Sequence, residues 1–566
     1  MNKWFNKLGI KKSNKVLNNY IQKLENELYS TCEYDDKTVK RKIKFLITKL
    51  VIIDILLVIM LGLIYGINVC MIFITCFAVY LVNKTLIEKS FNEENVKILY
   101  QMPEMIDELK SSYYEKRMID ESLSLAIEGL PYEISQKCEK IRNVLTSSNI
   151  KIEVEKYNRE CNNKFLKLLM NILYIAKEYG DKNLNEGDNK TNIKNSVFIK
   201  NLNYLLEEVN IEITKQNLFK MKFSGLIFVT IFPLLFINLV EKWSVSNFEI
   251  LSTFYESFAG FILKNITVLV CIFASLLIVK IKDSQTNIEI VKNKFNLKNN
   301  SIKNSKNKKL EKMIGKLIPD KKSKQYILLS QKIDEAKIEL TPDKYYKDKI
   351  LYCILAMLCM LVMFISANTY LDVVTGKTLF IELFSMIVIG LLATLIVDFN
   401  IFFEKNIKKA NKENEINNFR SIILILIHYS FVSAEEILVY LEKYSYIYKN
   451  EIRRCLNDYE KDGEYAISKI RNEVKEKSLK KLFRSLLQCV KNITVQQAFS
   501  FLESERDFYK EETKNKNMQE VNEKTNLAQM VSQIPYYTLI LLYFITPMVY
   551  TGMKELSSLL MQIKNM

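Results

Sequence analysis

Apolar residues fall along this chain in two patterns. In the first they form dense runs: Leu50–Val82, Phe223–Val240, Phe258–Val279, Ile350–Ala367, Leu379–Phe399 and Ile534–Tyr550. A helix needs roughly 20 consecutive apolar residues to cross a bilayer, so each of the last five runs predicts one span. Leu50–Val82 is too long for one crossing and breaks at Gly66-Ile67-Asn68, which predicts a tight hairpin of two short spans. The expected total is about seven transmembrane helices. In the second pattern apolar residues recur every three or four positions among lysines and glutamates, with few Gly and almost no Pro. That period marks one buried face of an α-helix, and it fills 83–222 and 400–533.

The expected fold class is therefore all-α, a polytopic membrane protein with two helical-bundle domains. Along the chain the order is a basic N-terminal helix region (1–49), the hairpin (50–82), a first helical domain (83–222) and two spans (223–279). A basic linker (280–349), two further spans (350–399), a second helical domain (400–533) and a last span with a short tail (534–566) complete it.

Charge sets the expected orientation, because cytoplasmic loops retain lysine and arginine. The N-terminal segment holds Lys11-Lys12 and Lys40-Arg41-Lys42, and Met1–Lys49 has no cleavable-signal pattern, so it is expected to stay inside. The loops Glu241–Ser257 and Asn368–Thr378 then fall outside, and they are poor in lysine. Lys280–Lys349 falls inside and carries Lys306, Lys308, Lys309, Lys321 and Lys322. Both helical domains are expected on the cytoplasmic side of the inner membrane, and the tail after Tyr550 outside.

The two domains also resemble each other. One opens Met102-Pro103-Glu104-Met105-Ile106-Asp107-Glu108-Leu109 and turns at Arg117-Met118-Ile119-Asp120 into Glu121-Ser122-Leu123. The other opens Phe419-Arg420-Ser421-Ile422-Ile423-Leu424 and turns at Val432-Ser433 into Ala434-Glu435-Glu436-Ile437-Leu438. Asp120 and Ser433 are the expected N-caps, since their side-chain oxygens can accept from free N–H groups of the next helix. The offset from Glu121 to Pro233 matches that from Glu436 to Pro547 to within one residue, and each proline lies in the span after its domain. Internal duplication is the expected origin.

A duplicated all-helical domain followed each time by a proline-bearing span resembles the type II secretion system F-domain family. These are the inner-membrane platform proteins of type II secretion, type IV pili and tight-adherence (Flp) pili. The carriers are Met102–Leu109, Glu121-Ser122-Leu123-Ser124-Leu125-Ala126 and Glu435-Glu436-Ile437-Leu438. The family usually places Gly just before the second helix, where this chain has Lys116-Arg117 and Phe431-Val432. The resemblance implies a non-enzymatic platform that docks a cytoplasmic secretion ATPase, binds pilin or pseudopilin subunits, works as a homo-oligomer and couples nucleotide hydrolysis to pilin extraction.

The search for chemistry supports a protein without a catalytic site, cofactor or metal. The 13 glycines form no phosphate-binding loop. Ten cysteines include no CxxC pair, which disfavours zinc and a disulfide framework. The single histidine, His428, lies on an apolar stretch and reads as a packing residue. The net charge of +17 gathers beside apolar runs, and Lys292–Lys309 has only Phe295 for stacking, so nucleic acid is not an expected partner. Asp54 and Asp398 are charges inside or near spans and read first as interfacial residues; the sharper reading is a polar contact with another span or with a pilin helix. Lys264 is expected to reach the outer surface. A transporter or channel component is the alternative, but it would call for broken, polar helices at mid-membrane.

Overall fold

The computed structural model of the chain describes residues 36–65, 69–161, 163–181, 196–283, 323–335, 341–351, 412–427 and 432–564, with single-residue gaps, and isolated positions elsewhere such as Asp398. His428, the linker 292–309 and most of the expected span pair 350–399 lie outside the described residues. Every described element is helical.

Helices α1 (Asp36–Tyr65) and α2 (Val69–Lys116) flank the expected hairpin break and pack on each other. The second half of α2 leaves the apolar run and joins a lobe made with α3 (Ile119–Gly129), α4 (Tyr132–Leu145), α5 (Ile150–Glu160), α6 (Lys164–Tyr179) and α7 (Val197–Phe223). After α7 come α8 (Leu226–Asn247), the short α9 (Leu251–Tyr255) and α10 (Phe258–Asp283), then α11 (Lys324–Glu335). The second lobe begins with a helical segment over 415–426. It continues through α12 (Ala434–Tyr444), α13 (Lys449–Tyr459), α14 (Gly463–Glu473), α15 (Lys477–Val490), α16 (Val495–Ala498), α17 (Ser500–Ser504) and α18 (Arg506–Tyr537). A π-helix (Thr538–Ile545) and α19 (Thr546–Lys564) finish the chain.

Local chemistry fixes the helix starts. At α12 the Ser433 Oγ accepts from the Glu436 N–H at 3.2 Å, and the Glu436 carboxylate accepts from the Ser433 N–H at 3.3 Å, a reciprocal capping box. Asn163, Ser196, Asp462 and Thr494 each cap a helix with one side-chain oxygen. Gly180 ends α6 at φ +75°, a conformation that strains any residue with a Cβ. Just beyond it Asp181 accepts from the Tyr113 hydroxyl at 2.9 Å and the Phe198 N–H at 3.0 Å, tying α2 to the start of α7.

Asp120 corrects the sequence reading. Helix α3 begins at Ile119 with Met118 in the cap position and no side-chain cap bond. The cause is Arg117, which turns the chain in the left-handed region at φ 56° and so starts the helix before Asp120 is reached. Asp120 therefore lies inside the first turn, where its charge still offsets the helix dipole. Its carboxylate accepts from Lys177 Nζ at 2.5 Å, and Lys177 also donates to the Leu145 carbonyl at 2.9 Å.

The lobes do not keep separate cores. Met102, Leu109, Leu169 and Phe198 from the first belong to one contiguous buried cluster with Phe419, Ile437, Phe483 and Phe499 from the second. Burying large apolar side chains of this kind contributes about 1.5–3 kcal/mol each, so the shared core makes the lobes one folding unit. Among the described residues, four helices are long and apolar enough to cross a membrane: Thr38–Ile64, Val197–Asn247, Ala259–Val279 and Arg506–Ile563. Leu61 of α1, Ala78 of α2, Leu234 and Ile237 of α8, Val268 and Cys271 of α10 and Leu539 of the π-helix meet in a second buried cluster, the centre of this span bundle.

Candidate functional site

The junction between lobes and bundle is built on two of these helices. One continues through Ser224-Gly225 from α7 into α8 and is 51 residues long; the other, α18 through α19, is 58 residues long. At 1.5 Å per residue they reach roughly 75 Å and 85 Å. The first is free of charge between Lys222 and Glu241, the second between Lys524 and Lys554. They run side by side in the same direction, and α10 returns antiparallel against both.

Polar contacts clamp the pair at two levels. At the lobe end Lys215 Nζ donates to Glu520 Oε2 at 2.9 Å, and Lys524 Nζ donates to Glu520 Oε1 at 3.1 Å. The Lys215 side chain is only 4% exposed, so this carboxylate serves two largely buried ammonium groups. Burial alone would raise the Glu520 pKa, but the two lysines outweigh it and hold the carboxyl below its usual range. Phe219, Phe223, Ile278, Ile281, Val521 and Ala528 pack just beyond the clamp. At the far end Glu241 Oε2 accepts from Lys264 Nζ at 2.8 Å and from the Tyr543 hydroxyl at 2.6 Å. The two levels are about 39 Å apart along the first helix and about 34 Å along the second, which brackets a hydrocarbon layer of about 30 Å.

Proline shapes the far end. Pro547 has no N–H to give the Tyr543 carbonyl one turn earlier, and the π-helix immediately precedes it. The Tyr255 hydroxyl of α9 donates to that carbonyl at 2.9 Å. Pro233 is buried inside α8. A third proline, Pro535, lies inside α18 and was not singled out from sequence.

Each of the two membrane aspartates has a partner on another segment of the chain. Asp54 Oδ2 in α1 accepts from Asn83 Nδ2 in α2 at 3.0 Å, so it makes a polar contact across the hairpin. Asp398 accepts from Lys349 Nζ at 3.0 Å and from the Tyr345 hydroxyl. Lys264 pairs with Glu241, with 18% of its side chain exposed. Sequence reasoning missed Glu241, Glu520, Lys215, Tyr255 and Asn83. The available signal was that Glu241 and Lys264 are the charges nearest the same ends of adjacent apolar runs.

Between the lobes lies a cavity of about 60 Å³, lined by Tyr204, Glu207, Glu208, Arg420, Arg506 and Tyr509 among others. Arg506 sits 4.0 Å above the Tyr204 ring and Arg420 4.1 Å above the Tyr509 ring. Arg506 also pairs with Glu207, and the Ser421 hydroxyl donates to Glu208 at 2.9 Å. Desolvation raises the Glu208 pKa despite Lys164 and Ser421. The space admits a few waters and is far too small for a nucleotide. Among the described residues no group of His, Cys, Asp and Glu converges as metal ligands. Searches against protein-family models, curated proteins and solved structures each find no match to this chain.

Proposed function

We propose that this chain is a non-enzymatic platform of the cytoplasmic membrane for type II secretion or for type IV or Flp pilus assembly. Its lobes dock a secretion ATPase, and its spans pass the motion to pilin or pseudopilin subunits. The observation that carries this reading is the pair of long helices, each continuous from a lobe into the apolar bundle and clamped to the other at two levels. A helix stiffened by its own backbone hydrogen bonds transmits displacement along its axis, and the shared core obliges the lobes to deliver it together.

Parallel element order supports duplication. The first lobe runs through helices of 11, 14, 11 and 16 residues before its long helix. The second runs through helices of 11, 11, 11 and 14, and then two short ones of 4 and 5 with no counterpart among the described residues of the first, before its own. With the basic N-terminus inside and seven spans, both lobes lie in the cytoplasm, and the Glu241–Lys264–Tyr543 cluster lies at the outer face. Those charges thus sit at the end of the bundle and not at the mid-membrane level a transporter site requires.

Purified full-length protein should show no ATP turnover of its own, and should bind the secretion ATPase encoded beside it through the lobes. Intrinsic hydrolysis surviving stringent purification, or labelling of a cysteine placed at Ser148 or Lys461 from outside intact cells, would overturn the reading.

A further inference from the structure

Helix α19 continues past the apolar bundle. Counting from Val549, every third or fourth residue is apolar: Met553, Leu556, Leu560 and Ile563. The steps alternate four and three, the a/d repeat of a coiled coil. All five side chains are exposed, from 53% at Val549 to 69% at Ile563. The first turns of the helix meet the rest of the chain through Thr551, which is buried on the side opposite Val549, and through the Tyr550 ring at its flank, 5.3 Å from Phe254 of α9; from Gly552 to Ile563 every residue is exposed. The apolar stripe therefore points away from its own bundle, with Leu559 and Met561 as further exposed apolar residues outside it.

From this geometry we infer that the seam of α19 is an interface with a second copy of this chain, formed as a parallel helix pair beyond the membrane. Three features select a second copy. Coiled-coil spacing asks for another helix with the same spacing. Copies inserted in one membrane share an orientation, so their α19 helices emerge parallel and at the same height, with like positions already in register. The residues that flank the seam in that register are Tyr550, Gly552, Ser557 and Leu559, with the first charge, Lys564, at its end; identical chains thus meet without like-charge repulsion along most of its length. Two heptads are short for a pair in free solution, where three to four are usual. Confinement of both copies to one membrane raises their effective concentration and removes that requirement. The inference locates the homo-oligomer contact and rests on α19 leaving the bundle, not on what the lobes bind.

Oxidative cross-linking in membranes tests it. Leu556→Cys lies on the seam, and Ser558→Cys lies on the opposite side of the same exposed turn. A dimer should form at Leu556→Cys well above the unsubstituted chain, and Ser558→Cys should stay at that background. Adding Leu560→Lys to Leu556→Cys should remove the cross-link while leaving the helical circular dichroism unchanged. Equal cross-linking at both positions, or none at either, overturns the interface. If neither cross-links and both resist a membrane-impermeant maleimide, the helix lies on lipid. If neither cross-links and both react freely, the seam has no second copy against it.

Discussion

Glu520 holds two helices of the lobe-end clamp together, and its removal should cost more than removal of either lysine. In Glu520→Gln the amide cannot neutralise Lys215, whose side chain is 4% exposed, or Lys524 at 16%. Breaking a buried ion pair from one side typically costs about 3–5 kcal/mol. A stranded ammonium can instead shed its proton, at a cost of about 4 kcal/mol near neutral pH for an ordinary lysine, so a loss of roughly 3–4 kcal/mol is expected. Lys215→Met leaves Glu520 still paired with Lys524, and the thioether fills much of the volume; about 1–2 kcal/mol is expected. Thermal melts of the full-length protein in detergent, followed by helical circular dichroism, give the ranking. Acid supplies a second reading. The folded carboxyl is held below its usual range, so its contribution is complete above about pH 4.3 and fades as pH falls through the lowered value. The gap between wild type and Glu520→Gln should therefore close on acidification below about pH 4. Equal destabilisation by Lys215→Met and Glu520→Gln, or a gap that persists in acid, would refute the shared-carboxylate account.

Two further substitutions separate the turns that resemble each other in sequence. Ser433→Ala removes a capping box and should cost about 1 kcal/mol, whereas Asp120→Ala loses a partly exposed ion pair with Lys177 and a first-turn charge that Glu121 still supplies, about 0.5 kcal/mol together. The shared core requires melts of the whole chain, and the reverse order would refute the assigned caps. Burial pushes the Cys138 and Cys455 thiols up to about 12 and the Cys489 thiol to about 11, leaving a thiolate fraction at pH 8 of at most about one in a thousand. All three should resist a small thiol reagent until denaturant is added, as read by peptide mapping; rapid native labelling of any one would contradict the packing around it.

The elements that sequence made legible are those whose cause is local. Four of the apolar runs fall in helices long and apolar enough to cross a membrane, and Ser433 caps its helix as expected because its partner, Glu436, lies within one turn. Asp120 looked equivalent, but the decision was taken at Arg117, which adopts a left-handed backbone that its residue type does not announce. It occupies the turn where the resemblance led us to expect glycine, at a cost of about 1–2 kcal/mol that a glycine would avoid. Long-range partners were the least legible. Asn83 is one polar residue beyond an apolar run, and only the pairing of α1 with α2 turns it into the ligand of Asp54. Glu520 has no distinguishing neighbour in sequence until Lys215, in the other lobe, is brought against it.

The clamps and the prolines together determine where the long helices can yield. At the lobe end the two helices are joined by a carboxylate serving two ammonium groups and by packed phenylalanines, and both continue into a core common to the lobes. Nothing in that region interrupts the backbone ladder of α18 until Pro535. Beyond it come the π-helix and Pro547, where one helical hydrogen bond is missing and a tyrosine from α9 supplies a donor in its place. Pro233 interrupts the partner helix at the level of Pro535, both lying before the Glu241–Tyr543 contact. A bend costs least where backbone bonds are already absent, so the two long helices can yield within the charge-free segments and not at the lobe-end clamp. The Glu241 cluster then ties α8, α10 and the π-helix together at the far side. Between these two levels Pro233 and Pro535 are the points at which the two long helices can bend.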